Sequence, residues 1–165
     1  MVRPLKLALA LWRSVTGART DRDSDCDPDD GIDCAIADYT KDIESNPNDA
    51  LAHLGRGTAH HKRADYQSAI ADFTKAIELK PNDAAAYTSR GSAYYYKAEF
   101  DRAIADFNKA IEINPKSALP YCNLGWTYEA IGDEKKAIAH YRMALEIDPS
   151  LQTAKDNLRL LDATP

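Results

Sequence analysis

Ala69-Ile70-Ala71-Asp72-Phe73-Thr74-Lys75-Ala76-Ile77-Glu78 returns as Ala103-Ile104-Ala105-Asp106-Phe107-Asn108-Lys109-Ala110-Ile111-Glu112. Worn copies stand at Ala137-Ile138-Ala139-His140-Tyr141-Arg142-Met143-Ala144-Leu145-Glu146 and at Ala35-Ile36-Ala37-Asp38-Tyr39-Thr40-Lys41-Asp42-Ile43-Glu44. The four starts, 35, 69, 103 and 137, lie 34 residues apart. A fixed period of this size marks stacked structural repeats. Pro47, Pro81, Pro115 and Pro149 keep the same register. They divide the chain into units 50–83, 84–117 and 118–151, with a half unit at 32–49. The first two full units are identical at sixteen of 34 positions, beyond coincidence.

Each unit carries two helical patterns. His53, Arg56, Gly57 and His60 share one side of a first helix, as do Tyr87, Arg90, Gly91 and Tyr94, then Tyr121, Leu124, Gly125 and Tyr128. Tyr66, Ala69, Ile70, Phe73, Ala76 and Ile77 make the stripe of a second helix. Both obey the i, i+3, i+4, i+7 rule of an amphipathic helix. The glycine of the first helix and the first alanine of the second let the pair approach closely. The aromatic that follows fills the gap towards the neighbouring unit. Each second helix stops just before its proline, whose ring pushes the preceding residue out of helical dihedrals. Asp49, Asp83 and Ser117 are expected to cap the next first helix. Pro120 falls in a first turn, where its missing N–H does no harm. Residues 150–162 read as a lone capping helix with Ala154, Leu158 and Leu161 inward and Lys155, Asp156, Arg159 and Asp162 outward.

This pattern resembles the tetratricopeptide repeat, whose 34-residue unit runs aromatic–Leu–Gly–Tyr…Ala–Phe–Ala–Pro. Tyr121, Leu124, Gly125, Tyr128, Ala137, Tyr141, Ala144 and Pro149 match it in full. The resemblance spans about 32–165. It departs at His53, His60 and Glu134, where aromatics are usual. It implies an all-α, right-handed α-solenoid of antiparallel helix pairs with a C-terminal capping helix, and a non-catalytic adaptor that holds a protein segment.

Composition excludes several alternatives. The 165-residue chain carries a net charge of −5 and a pI near 5.3, the wrong sign for a nucleic-acid face. The longest apolar run, Leu7–Trp12, is too short to span a bilayer. Residues 1–20 form a basic and apolar segment holding Arg3, Lys6, Arg13 and Arg19 and no acid. Two readings stay open for it, a secretory signal interrupted by Arg13 or a short helix that docks on the first repeat. In the second case Leu5–Val15 supplies, out of register, the first helix that the half unit lacks. Residues 21–31 form an acidic linker. Its alternating Asp residues fit a calcium loop in neither register, since Ile36 falls at the twelfth place or Pro28 at the third. Cys26 and Cys34 would form a disulfide if the protein is exported and stay thiols in a reducing cytoplasm, the slightly favoured compartment. Cys122 reads as a lone thiol.

The first helices should line a concave groove on the face opposite the packing stripe. Residues expected to contact a peptide there are Leu54, Thr58, His61, Thr88, Ser92, Tyr95, Tyr96, Asn123, Trp126 and Glu129. Tyr95, Tyr96 and Trp126 are rigid rings that bury area at low entropic cost. Asn123 is placed to bond a ligand backbone amide. Trp126 and Leu119 have an alternative place beneath the capping helix. Family members that clamp the C-terminal carboxylate of heat-shock chaperones use Lys and Asn from one unit, Asn from the next, and Lys and Arg from the third. Leu54, Thr58, Ser89, Cys122 and Trp126 stand at those positions, so that mode is not expected. No phosphate loop, nucleophile elbow or zinc-protease motif occurs, and no metal or cofactor is expected. His53 and His60 occupy packing positions. A second functional class, an assembly factor localised by residues 1–20, stays open.

Overall fold

The computed structural model describes residues 31–162, and they form helices α1 (Gly31–Ser45), α2 (Ala50–Lys62), α3 (Tyr66–Leu79), α4 (Ala84–Tyr96), α5 (Phe100–Ile113), α6 (Ala118–Ala130), α7 (Glu134–Ile147) and α8 (Gln152–Asp162). The described part of the chain is an all-α helical solenoid. Helices α2 and α3, α4 and α5, and α6 and α7 pack as hairpin pairs. Helices α2, α4 and α6 also touch in succession and form one layer. Helix α8 lies against α7 and begins two residues later than the expected capping helix.

Close approach within each pair follows from glycine. A Cβ added to Gly57 would stand 2.8 Å from the Phe73 ring, and one added to Gly91 would stand 2.7 Å from Phe107. Tyr141 covers Gly125 in the same way. The aromatic therefore seats on its own unit's glycine, and Phe73 and Phe107 also join one buried cluster with Ala93, Tyr94 and Leu124 across unit boundaries. Ala154 of α8 is fully buried against Tyr121, Cys122 and Tyr141, with Leu158 and Leu161 packed at the edge.

Asp49 accepts from the Leu51 and Ala52 amides at 2.9 and 3.2 Å, and Asp83 repeats this with Ala85 and Ala86. Ser117 holds the N-cap position of α6 without a side-chain cap bond. The third residue of α6 is Pro120, which has no N–H to offer. Asp65 and Asp133 cap α3 and α7 through Ser68 and Lys136.

An ion-pair joint recurs in the first two full units. Arg56 Nε and Nη2 donate to Asp72 at 2.8 and 2.7 Å, and Nη1 reaches Thr40 Oγ1 of the preceding helix at 3.3 Å. Arg90 does the same with Asp106 at 2.7 and 2.8 Å and with Thr74 at 3.2 Å. Each arginine thus ties a first helix to the second helices on both sides. In the third unit Leu124 is buried instead, and His140 stacks on Tyr128 at 5.2 Å.

The turn inside each pair requires a left-handed residue. Ala64, Ala98 and Gly132 occupy it with φ of 61°, 58° and 83°. Glycine adopts this region without a Cβ penalty, at the cost of a freer unfolded chain. Ala98→Gly is expected to stabilise the protein by about 0.5–1 kcal/mol, and Gly132→Ala to destabilise it by a similar amount. Thermal melts of the two variants check this, and a reversed order refutes it.

Candidate functional site

The layer of first helices carries a notch at the junction of the three units. It encloses about 150 Å³ and is lined by His61, Ser92, Tyr95, Tyr96, Phe107, Asn123 and Trp126. These residues arrive from α2, α4, α5 and α6 because the helices stack in register, so positions far apart in sequence face one point. A cavity of roughly 150 Å³ is the size that accommodates a benzene ring.

The walls are held by ring contacts. Tyr96 stacks on Tyr66 at 5.1 Å with the planes 4° apart, and His61 meets both edge-on at 5.3 Å. Tyr95 packs edge-on to Tyr96 and tilts against Phe100. Tyr96 still leaves 57 % of its surface exposed. Tyr66, read as a core residue, thus buttresses the site. The missed signal was that Tyr66 opens α3 directly after the turn that follows His61.

The notch is electrically quiet. Burial holds the His61 imidazole below its ordinary pKa, which favours the neutral ring, and its Nε2 is buried without a hydrogen-bond partner among the described residues. Burial, followed by Tyr96 and Glu129, raises the Tyr95 phenol above its ordinary range.

The remaining expected contacts distribute differently. Asn123 is only 9 % exposed, and its Nδ2 points to Ser92 Oγ at 3.4 Å. Ser92 and Thr88 spend their hydroxyl protons on backbone carbonyls one turn back, of Thr88 and Ala84. Thr58 is exposed and donates to the Leu54 carbonyl. Leu54 is half-buried and packs on the core, and with Thr58 it borders a separate depression towards α1. Glu129 is exposed, is not among the residues that line the notch, and accepts the Tyr141 hydroxyl at 2.8 Å. Burial, then this bond, keeps the Tyr141 phenol far above its usual range.

Trp126 is half-buried, borders the notch and packs on the C-terminal cluster. Leu119 is 58 % exposed, and α8 does not cover it. Cys122 is buried rather than groove-facing, and burial pushes its thiol up to about 11. His53 is a core residue, with Nδ1 3.3 Å from Asp72 Oδ1 and Nε2 3.1 Å from the Pro47 carbonyl. Cys34 is half-buried on α1, and Cys26, its proposed disulfide partner, lies outside the described residues, as do the basic segment and most of the acidic linker.

The tetratricopeptide repeat family profiles match residues 50–83 and 82–150. The chain belongs to the tetratricopeptide repeat family. A crystal structure of MamA superposes with a TM-score of 0.73 at 30 % identity, covering 79 % of this chain and 76 % of that one. The first tetratricopeptide domain of Spaghetti (RPAP3), bound to an HSP90 peptide, matches at 0.66 and 28 %, covering 68 % and 90 %. The Arabidopsis OM64 tetratricopeptide domain matches at 0.67 and 29 %, covering 68 % and 93 %. No curated protein matches the sequence. As a tetratricopeptide repeat protein the chain is a protein–protein interaction module. Among the described residues no helix is long and apolar enough to cross a membrane.

Proposed function

We propose that this tetratricopeptide array is a non-catalytic adaptor that holds an extended or helical segment of a partner protein along α2, α4 and α6. One apolar or aromatic side chain of that segment seats in the notch. The observation that carries the reading is the convergence of Tyr95, Tyr96 and Trp126 on one neutral, ring-sized cavity. Rigid rings around a desolvated pocket are the usual make-up of binding hot spots.

The recognised group is apolar rather than a terminal carboxylate. Leu54, Thr58, Ser89, Cys122 and Trp126 offer no cation to an anion, and Cys122 is buried. The HSP90 peptide seen on RPAP3 is therefore expected not to bind this chain.

The test must spare the fold, because Tyr95 and Trp126 are half-buried and contribute to packing. Ser92→Leu fills the notch, and Tyr96→Ala removes its exposed wall. Partner capture from native lysate, read by mass spectrometry, is expected to fall about 30-fold or more with either variant, the scale of a hot spot. Helicity should stay unchanged. Undiminished capture by both variants defeats the reading.

A further inference from the structure

Helix α1 has the sequence of a repeat's second helix, yet no first helix covers it among the described residues. In the three complete pairs the second helices each bury at least three residues, including an alanine and an aromatic. Helix α1 buries none. Beside it lies a depression of about 610 Å³ between α1 and α2, walled by Ile32, Ala35, Tyr39, Leu51 and Leu54. Ile32 is 38 % exposed and Leu51 61 % exposed. Phe73, Phe107 and Tyr141 each seat on a glycine of their own first helix, whereas Tyr39 has none and lies against Gly55 of α2. The depression is therefore the place that the first helix of the leading half repeat would fill.

We propose that residues 5–15 of this chain fill it as a helix, completing the half repeat from within the same molecule. Leu5, Ala8, Leu9 and Trp12 follow the i, i+3, i+4, i+7 spacing that builds one apolar face. The in-register residues 16–28 are unsuited, since they hold Asp21, Asp23, Asp25 and Asp27 and end at Pro28. An 11-residue helix is about 16 Å long, and the 15 residues from 16 to 30 reach up to about 50 Å, so the connection spans α1 in either direction.

Charge favours the same occupant. Residues 1–20 carry four basic side chains and no acid. Helix α1 carries Asp38, Asp42 and Glu44 against Lys41, while its Asp33 is engaged by Arg63 Nη1 at 2.6 Å. The depression is edged by Asp42 and Asp49, with Lys62 at its other end. A tethered segment is present at an effective concentration near millimolar, which favours it over a second copy or an outside protein.

Hydrogen exchange on the full chain tests this, with the intact mass confirming that residues 1–20 are present. Amides of residues 5–15 are expected to exchange at least tenfold more slowly than in the free peptide, independently of protein concentration. Leu51→Glu places a charge in the depression at a site exposed enough to spare the fold, and is expected to abolish that protection. As a second readout, Trp126→Phe leaves Trp12 as the sole tryptophan, and its quenching by acrylamide should rise on adding Leu51→Glu. Exchange at the free-peptide rate overturns the proposal. So does protection that grows with concentration, which would place a second copy in the depression. Protection untouched by Leu51→Glu overturns it too, because the segment would then pack elsewhere.

Discussion

Arg90→Ala is expected to destabilise the protein by about 3–5 kcal/mol, the cost of leaving a buried partner charge uncompensated. Asp106 is buried, and both of its oxygens are engaged by the Arg90 fork. The same side chain reaches Thr74, so its loss also removes a tie to the preceding unit. Asp106 holds the Arg90 guanidinium above its ordinary pKa through that hydrogen bond, in keeping with a tightly held pair. Arg56→Ala should cost less, because His53 Nδ1 remains 3.3 Å from Asp72. The third unit shows that the charge pair is dispensable when both members change, since Leu124 and His140 stand there. Arg90→Leu combined with Asp106→Ala is accordingly expected to recover most of the lost stability. Urea unfolding of the single and double variants measures this. A single-variant loss below about 1 kcal/mol would show that the pair is no better than a surface bridge.

Phe107→Ala is expected to cost about 3–5 kcal/mol, in the range of large core truncations. Its ring is 1 % exposed, covers Gly91 and forms the floor of the notch. Gly91→Ala should cost about 1–3 kcal/mol from the opposite cause, since the new methyl meets that ring. Combining Gly91→Ala with Phe107→Leu should cost less than the sum, because the smaller side chain yields the space that the methyl needs. Since repeats touch only their neighbours, damage to the central unit also uncouples the two ends. The unfolding transition of Phe107→Ala should therefore broaden. Strict additivity, or a sharp transition, would place the ring outside the joint that links the units.

The fold was legible because it repeats. A period of 34 residues with glycine, alanine, aromatic and proline in fixed order admits few arrangements, and steric fit makes each of these positions demanding. The site was legible in part for the same reason. Helical periodicity placed His61, Ser92, Tyr95, Tyr96, Asn123 and Trp126 on one face. It did not separate the residues that meet there from those that turn away. Leu54 and Cys122 have the same helical phase as notch residues, yet Cys122 is buried in the C-terminal cluster and Leu54 lies half-buried at the depression beside α1. The Arg56–Asp72 and Arg90–Asp106 pairs were hidden because their members lie 16 residues apart on different helices.

The sequence by itself determined the repeat, its register and the hairpin pairs, since these follow from local periodicity and from residues whose backbone or steric demands are strict. Only the tertiary structure decided which rings close the notch, that Asn123 bonds Ser92, that Leu119 stays open beside α8, and that Tyr39 of α1 lies against Gly55 of the following helix. Those outcomes depend on distances between side chains of different units. Such distances are set by how the helices stack, and no spacing along the chain encodes them.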